Sequence, residues 1–178
     1  MSKLKVPVGA ADHIQGNAEA GCTLVEYGDY ECPHCGHAYS IVKRLQKHFG
    51  ERLRFVYRNF PLTELHPNAE ASAESTEFAG AHDKFWPMHD LLFENQQRLG
   101  VPLFEELAGK LKLDAADLLK ALQSGEFTAR VKADFAGGVR SGVNGTPTFF
   151  MNGERYDGVP EYPAMVEVIA SVLSSAQR

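Results

Sequence analysis

The stretch Cys22-Thr23-Leu24-Val25-Glu26-Tyr27-Gly28-Asp29-Tyr30-Glu31-Cys32-Pro33-His34-Cys35 decides how the chain is read. Its first six residues are a short β-rich run, Gly28 and Asp29 form a turn, and the C-x-x-C that follows opens a helix. Pro33 suits the first helical turn, where its missing N–H costs nothing. The helix is predicted from Cys32 through Ile41, Val42, Leu45 and Phe49 to a stop at Gly50. A second strand, Arg52 to Phe60, follows before Pro61 and completes a βαβ unit.

Two cysteines at this spacing read either as a redox dithiol or as half of a zinc site. The third cysteine, Cys22, has no second C-x-x-C and no closely spaced pair of histidines with which to complete a tetrahedral shell, which favours the redox reading. Three cysteines also cannot build a stabilising disulfide framework. Cys22 itself is expected to be a small buried or edge residue rather than a regulatory thiol.

From about Asn68 to Ser141 the pattern is helical, over Asn68 to Ala81, Met88 to Leu99, Phe104 to Leu111, Asp114 to Leu122 and Phe127 to Val139, with Asp114 as an N-cap. β structure resumes with Thr146 to Met151, a two-residue turn at Asn152-Gly153 and a return strand at Glu154 to Tyr156. A last amphipathic helix runs from about Tyr162 to Ser174. The expected architecture is α/β, a βαβ half and a ββα half (1–64 and 141–178) with an all-helical insertion (65–140) between them.

The 178 residues fit one domain-sized chain with a formal charge of −5 and no run of Lys and Arg, which gives no footprint for nucleic acid. No segment approaches the ~20 apolar residues that cross a bilayer. Met1 to Gly9 carries Ser2, Lys3, Lys5 and Pro7 but no apolar stretch of the kind a secretory signal needs, so the chain as written is expected in the cytoplasm. If Met1 replaces a trimmed export leader, the compartment becomes periplasmic and the chemistry is unchanged.

Three separated features, Gly28 to Cys35, Phe85-Trp86-Pro87-Met88-His89-Asp90 and Gly145-Thr146-Pro147-Thr148-Phe149, make the chain resemble the DsbA-like branch of the thioredoxin superfamily. There a helical domain interrupts a thioredoxin fold. The resemblance runs from about Thr23 to Val172 and implies a thiol:disulfide oxidoreductase that acts on cysteine-containing proteins, without metal or organic cofactor, and is recycled by a redox partner or glutathione. Cys32 is then the nucleophile, favoured as thiolate at a helix start, and Cys35 resolves the mixed disulfide. His34, beside Pro33 in the motif, is expected to stabilise that thiolate, which favours oxidation of substrates. The alternative for His34 is a solvated helix residue.

The resemblance also turns Pro147 from an ordinary strand-entry proline into a cis-proline, with Thr146 and Pro147 contacting the substrate. It makes Glu26 a buried acid that exchanges a proton with Cys35, against the alternative of an edge-strand carboxylate facing water. Phe85, Trp86 and Met88 are expected in the helical core, and His37, His66, His82 and His89 at the surface or in capping positions. Two other functions stay open: reductase or isomerase action in a reducing compartment, and a protein-binding module whose dithiol senses oxidation.

Overall fold

The computed structural model describes residues 2–176; Met1, Gln177 and Arg178 lie outside the described residues. Along the chain come β1 (His13–Gln15), β2 (Cys22–Gly28), α1 (Pro33–Phe49), β3 (Leu53–Asn59), α2 (Ala69–Gly80), α3 (Phe85–Glu94), α4 (Val101–Lys110), α5 (Ala115–Ser124), α6 (Thr128–Arg140), β4 (Thr148–Met151), β5 (Glu154–Tyr156) and α7 (Tyr162–Ala176). The strands form one mixed sheet in the order β1-β3-β2-β4-β5, the thioredoxin fold expected from the βαβ and ββα halves. Among the described residues no helix is long and apolar enough to cross a membrane.

The chain groups into two compact units. One takes the described residues up to Gly28, together with His37–Arg58 and those from Gly137 onward; the other takes Asp29–Gly36 and Asn59–Ala136.

In the sheet-bearing unit every residue of β2 is buried, as the near-continuous apolar run of a central strand requires. β4 pairs antiparallel with it, Leu24 opposite Met151, Glu26 opposite Phe149 and Tyr27 opposite Thr148. The β4–β5 hairpin turns on Asn152 and Gly153, both at positive φ (47° and 83°), the backbone that a tight two-residue turn demands and that these residue types adopt at least cost. Asn152 also accepts from Thr23 N at 2.7 Å, fastening the turn to the start of β2. On α7, Met165, Ile169 and Leu173 recur every four residues and form its buried stripe. Arg58 is buried near the end of β3, where it donates to Asp12 Oδ1 and Oδ2 (2.7 and 2.9 Å), Val6 O and Tyr27 Oη.

The helical unit packs α2 against α3 and α5, and α4 against α5, over Phe78, Met88, Leu92, Phe104, Leu107 and Leu118. Phe85 and Met88 lie in this core, as expected. Asp114 caps α5 by accepting from Asp117 N, and Gly125 (φ 68°) closes it.

Three differences from the sequence-based reading have local causes. β1 was not anticipated: three residues at the sheet edge, His13–Gln15 paired with Phe55–Tyr57, are too short for an alternating pattern to register. α3 begins at Phe85 rather than Met88, because Pro87 falls inside the first turn, where proline is tolerated; it ends at Glu94, and a short 3-10 turn occupies Gln96–Arg98. β4 begins at Thr148, two residues later than predicted, after the Thr146-Pro147 peptide.

Candidate active site

The dithiol turn is built by backbone first. Cys32 immediately precedes α1, and the helix's first turn closes with Gly36 N donating to Cys32 O at 3.1 Å. Asp29 brackets both cysteines: its carbonyl accepts from Cys32 N at 3.1 Å, and its amide donates to Cys35 Sγ at 3.4 Å. Both thiols are nearly covered, Cys32 4% exposed and Cys35 0%, whereas Pro33 and His34 between them are exposed. A thiol at the N-terminal end of a helix meets unpaired N–H groups and the positive end of the helix dipole, which favour its ionised form.

A polar network holds the turn, and most of it was missed in the sequence. The buried Asp29 carboxylate accepts from Glu31 N (2.8 Å) and Leu62 N (2.9 Å) and is hydrogen-bonded to His66 Nδ1 (2.7 Å). Glu31 accepts from Asn68 N and Nδ2 just before α2, where a carboxylate also suits the helix dipole. Gln96 Nε2 donates to both Tyr30 O and Cys32 O, each at 2.8 Å. Gly36 makes room for it: a Cβ there would collide with Gln96 Oε1.

Two histidines are therefore misassigned by the sequence reading. His89 is no surface group; it is 3% exposed, hydrogen-bonded through Nδ1 to Tyr30 Oη at 2.9 Å and ringed by Phe85, Trp86 and Phe93. His66 is bound to Asp29, its side chain 19% exposed. Partial burial opposes its charge, but the Asp29 hydrogen bond and the charges of Asp29, Cys32 and Glu31 outweigh that and hold the imidazole above its ordinary pKa. The reading holds for the other two: His82 is exposed, and His37 lies at the surface, 3.2 Å from Glu161 Oε1. His34 makes none of the hydrogen bonds of the dithiol network.

The remaining candidates lie in the sheet-bearing unit. Glu26, in mid-β2, is 2% exposed, so it is not a water-facing edge carboxylate. The Thr146–Pro147 peptide is cis, and its two residues are half-buried directly before β4. Glu26 thus lies on the strand beside β4, the strand into which this segment leads, with Glu26 opposite Phe149. Cys22 is wholly buried, and burial pushes its thiol up to about 11. No cluster of three His, Cys, Asp or Glu side chains suited to a metal occurs among the described residues.

The thioredoxin family profile matches residues 9–171. The chain belongs to the thioredoxin family. Its fold is similar to that of oxidised BdbD from Bacillus subtilis, with a TM-score of 0.85, 26% identity and coverage of 92% of this chain and 94% of that one. A thioredoxin-like oxidoreductase from Silicibacter pomeroyi gives 0.81 at 25% identity over 93% and 94%. Wolbachia pipientis alpha-DsbA1, at 15% identity, shares the fold (0.83, over 97% and 96%), so the build is DsbA-like. Among curated proteins, the Na(+)/H(+) antiporter NhaA 1 of Salinispora arenicola is 39% identical over 98% of this chain but only 27% of its own length. The antiporter NhaA of Herminiimonas arsenicoxydans is 38% identical over 94% and 26%. The chain thus spans about a quarter of the length of the curated relatives it matches.

Proposed function

We propose that the chain is a thiol:disulfide oxidoreductase that exchanges a Cys32–Cys35 disulfide with the thiols of cysteine-containing proteins, acting as an oxidant. The observation that carries this reading is the dithiol at the head of α1, with the Asp29 carbonyl bonded to Cys32 N and its amide directed at Cys35 Sγ. In the oxidising direction a substrate thiolate attacks Cys32 Sγ, and the Cys32–Cys35 bond breaks with Cys35 leaving as thiolate. A second substrate thiolate then attacks the substrate sulfur of the mixed disulfide and Cys32 leaves as thiolate, so two electrons pass from the substrate dithiol to the pair. The amide donated to Cys35 Sγ suits the charge that forms on the first leaving group. Glu26 is the acid assigned to proton exchange with Cys35, and Thr146 with Pro147 the segment assigned to the substrate.

Replacing Cys32 with Ser should abolish turnover of protein disulfides, and Cys35→Ser should accumulate mixed disulfides with substrate; a fully active Cys32→Ser protein ends the reading. Equilibration with glutathione buffers fixes the direction. A potential near about −120 mV supports the oxidant, and one near about −270 mV a reductase in a reducing compartment.

A second reading rests on the antiporter relatives, in which the matching segment is a quarter of a longer protein. On this reading the Cys32–Cys35 dithiol of the chain serves as a redox sensor for a partner rather than as a turnover enzyme. Undetectable turnover together with partner binding that differs between reduced and oxidised chain would favour it.

A further inference from the structure

We propose that His66 is a positioning residue for the dithiol: held by the buried Asp29 carboxylate, it supplies the positive charge that steadies Cys32 as a thiolate. The inference deepens the exchange reading above and rests on it.

Asp29 poses a problem that His66 solves. Its backbone is bonded to Cys32 N and directed at Cys35 Sγ, so its carboxylate belongs to the same tight turn as the two sulfurs. A lone carboxylate there would disfavour a thiolate by like-charge repulsion. Yet the carboxylate is built in deliberately: its side chain is 0% exposed and accepts from Glu31 N and Leu62 N as well as bonding His66. With an imidazolium 2.7 Å from Asp29 Oδ2, the pair is neutral overall and its positive end is available to a nearby anion.

The charged and titratable groups that act on His66 are Asp29, Cys32 and Glu31, and each favours its protonated form; the Asp29 carboxylate itself is bonded to His66 and to the Glu31 and Leu62 amides. Glu31 is itself committed to Asn68. In the exchange cycle Cys32 becomes a thiolate when the mixed disulfide resolves, and it is then that the His66 charge acts. No proton moves to or from His66 in this step.

The sign of the pH dependence follows. His66 titrates above its ordinary value of roughly 6.5, so its support of the thiolate is complete below that value and is lost as pH rises through the raised one. The coupling is reciprocal: forming the disulfide removes the negative charge on Cys32 and must lower the point at which His66 titrates.

The test is an NMR titration of the His66 imidazole in the reduced and the oxidised chain. His66 should titrate higher in the reduced form, by at least about half a pH unit; identical titration curves overturn the proposal. Thiolate absorbance in a Cys22→Ala background gives a second arm. There His66→Asn should raise the Cys32 midpoint by about one pH unit, a tenfold weakening, and His66→Lys should bring it back toward the parent. A midpoint that His66→Asn leaves in place also overturns it, and if a variant fails to fold the unmutated protein's titration decides. Turnover measured alongside separates the two claims: exchange without coupling refutes this inference alone, and coupling without exchange refutes the enzyme reading.

Discussion

The two ends of β2 both lead to buried cysteines, and they make opposite environments of them. At its start Cys22 is sealed at 0% exposure, and burial alone pushes its thiol to about 11. Beyond its end Cys32 and Cys35 are as well covered, yet they sit at the head of α1 among backbone amides, with Asp29, Glu31, His66 and Gln96 tied to the same turn. Burial is common to both, so under the proposed function burial does not distinguish an inert thiol from a redox-active one. Directed donors and a compensated charge do.

The widest separation should appear in alkylation. At pH 7 a thiol titrating near 11 is ionised in only about one molecule in 10⁴. In the reduced native protein, iodoacetamide should therefore modify Cys32 at least about a thousandfold faster than Cys22. Peptide mapping after a timed quench measures the ratio, which should collapse in denaturant; comparable native rates would break the contrast. Stability separates the two ends next. Asp29→Ala strips an acceptor from Glu31 N, Leu62 N and His66 at once and should cost about 3 kcal/mol or more, whereas Cys22→Ala removes one sulfur from an apolar site and should cost about 1 kcal/mol. Urea unfolding of the two variants settles the order.

The parts of this contrast that sequence revealed are local ones. Cys32-Pro33-His34-Cys35, the Asn152-Gly153 turn and the Asp114 cap each announce themselves within four residues, because the spacing or φ that they need is carried by the residues themselves. The Thr146-Pro147 segment and Glu26 were readable only through the family resemblance, since a proline before a strand and a carboxylate within one are ordinary alone. The network around the dithiol was not legible. Asp29 and His66 are 37 positions apart, Gln96 and Cys32 64, and nothing in a lone histidine before Pro67 or a glutamine after Asn95 states what it will meet once the helices pack. His89 misled for the same reason: histidine is a residue of intermediate burial, and only the Phe85, Trp86 and Phe93 rings with the Tyr30 hydroxyl make an interior place for it.

Gln96 offers the finest test of whether order at the dithiol end comes from directed bonds or from covering alone. Its Nε2 satisfies two carbonyls, Tyr30 O and Cys32 O, on either side of Glu31. Gln96→Ala removes both donors while deleting little apolar surface, so bond loss should dominate at about 1–2 kcal/mol. For a chain of this size that lowers the melting temperature by about 3–6 °C. Gln97, next in sequence and exposed, is the matched control, and Gln97→Ala should fall within about 0.5 kcal/mol of the parent. Gly36→Ala approaches the same bonds from the other side, because its added methyl collides with Gln96 Oε1 and must displace the amide. If the bonds hold the turn, Gln96→Ala and Gly36→Ala should weaken the protein together and not additively, the signature of one shared interaction. Full additivity, or equal melting of the Gln96 and Gln97 variants, would mean that packing alone fixes the turn and that the two ends of β2 differ less than their hydrogen bonds imply.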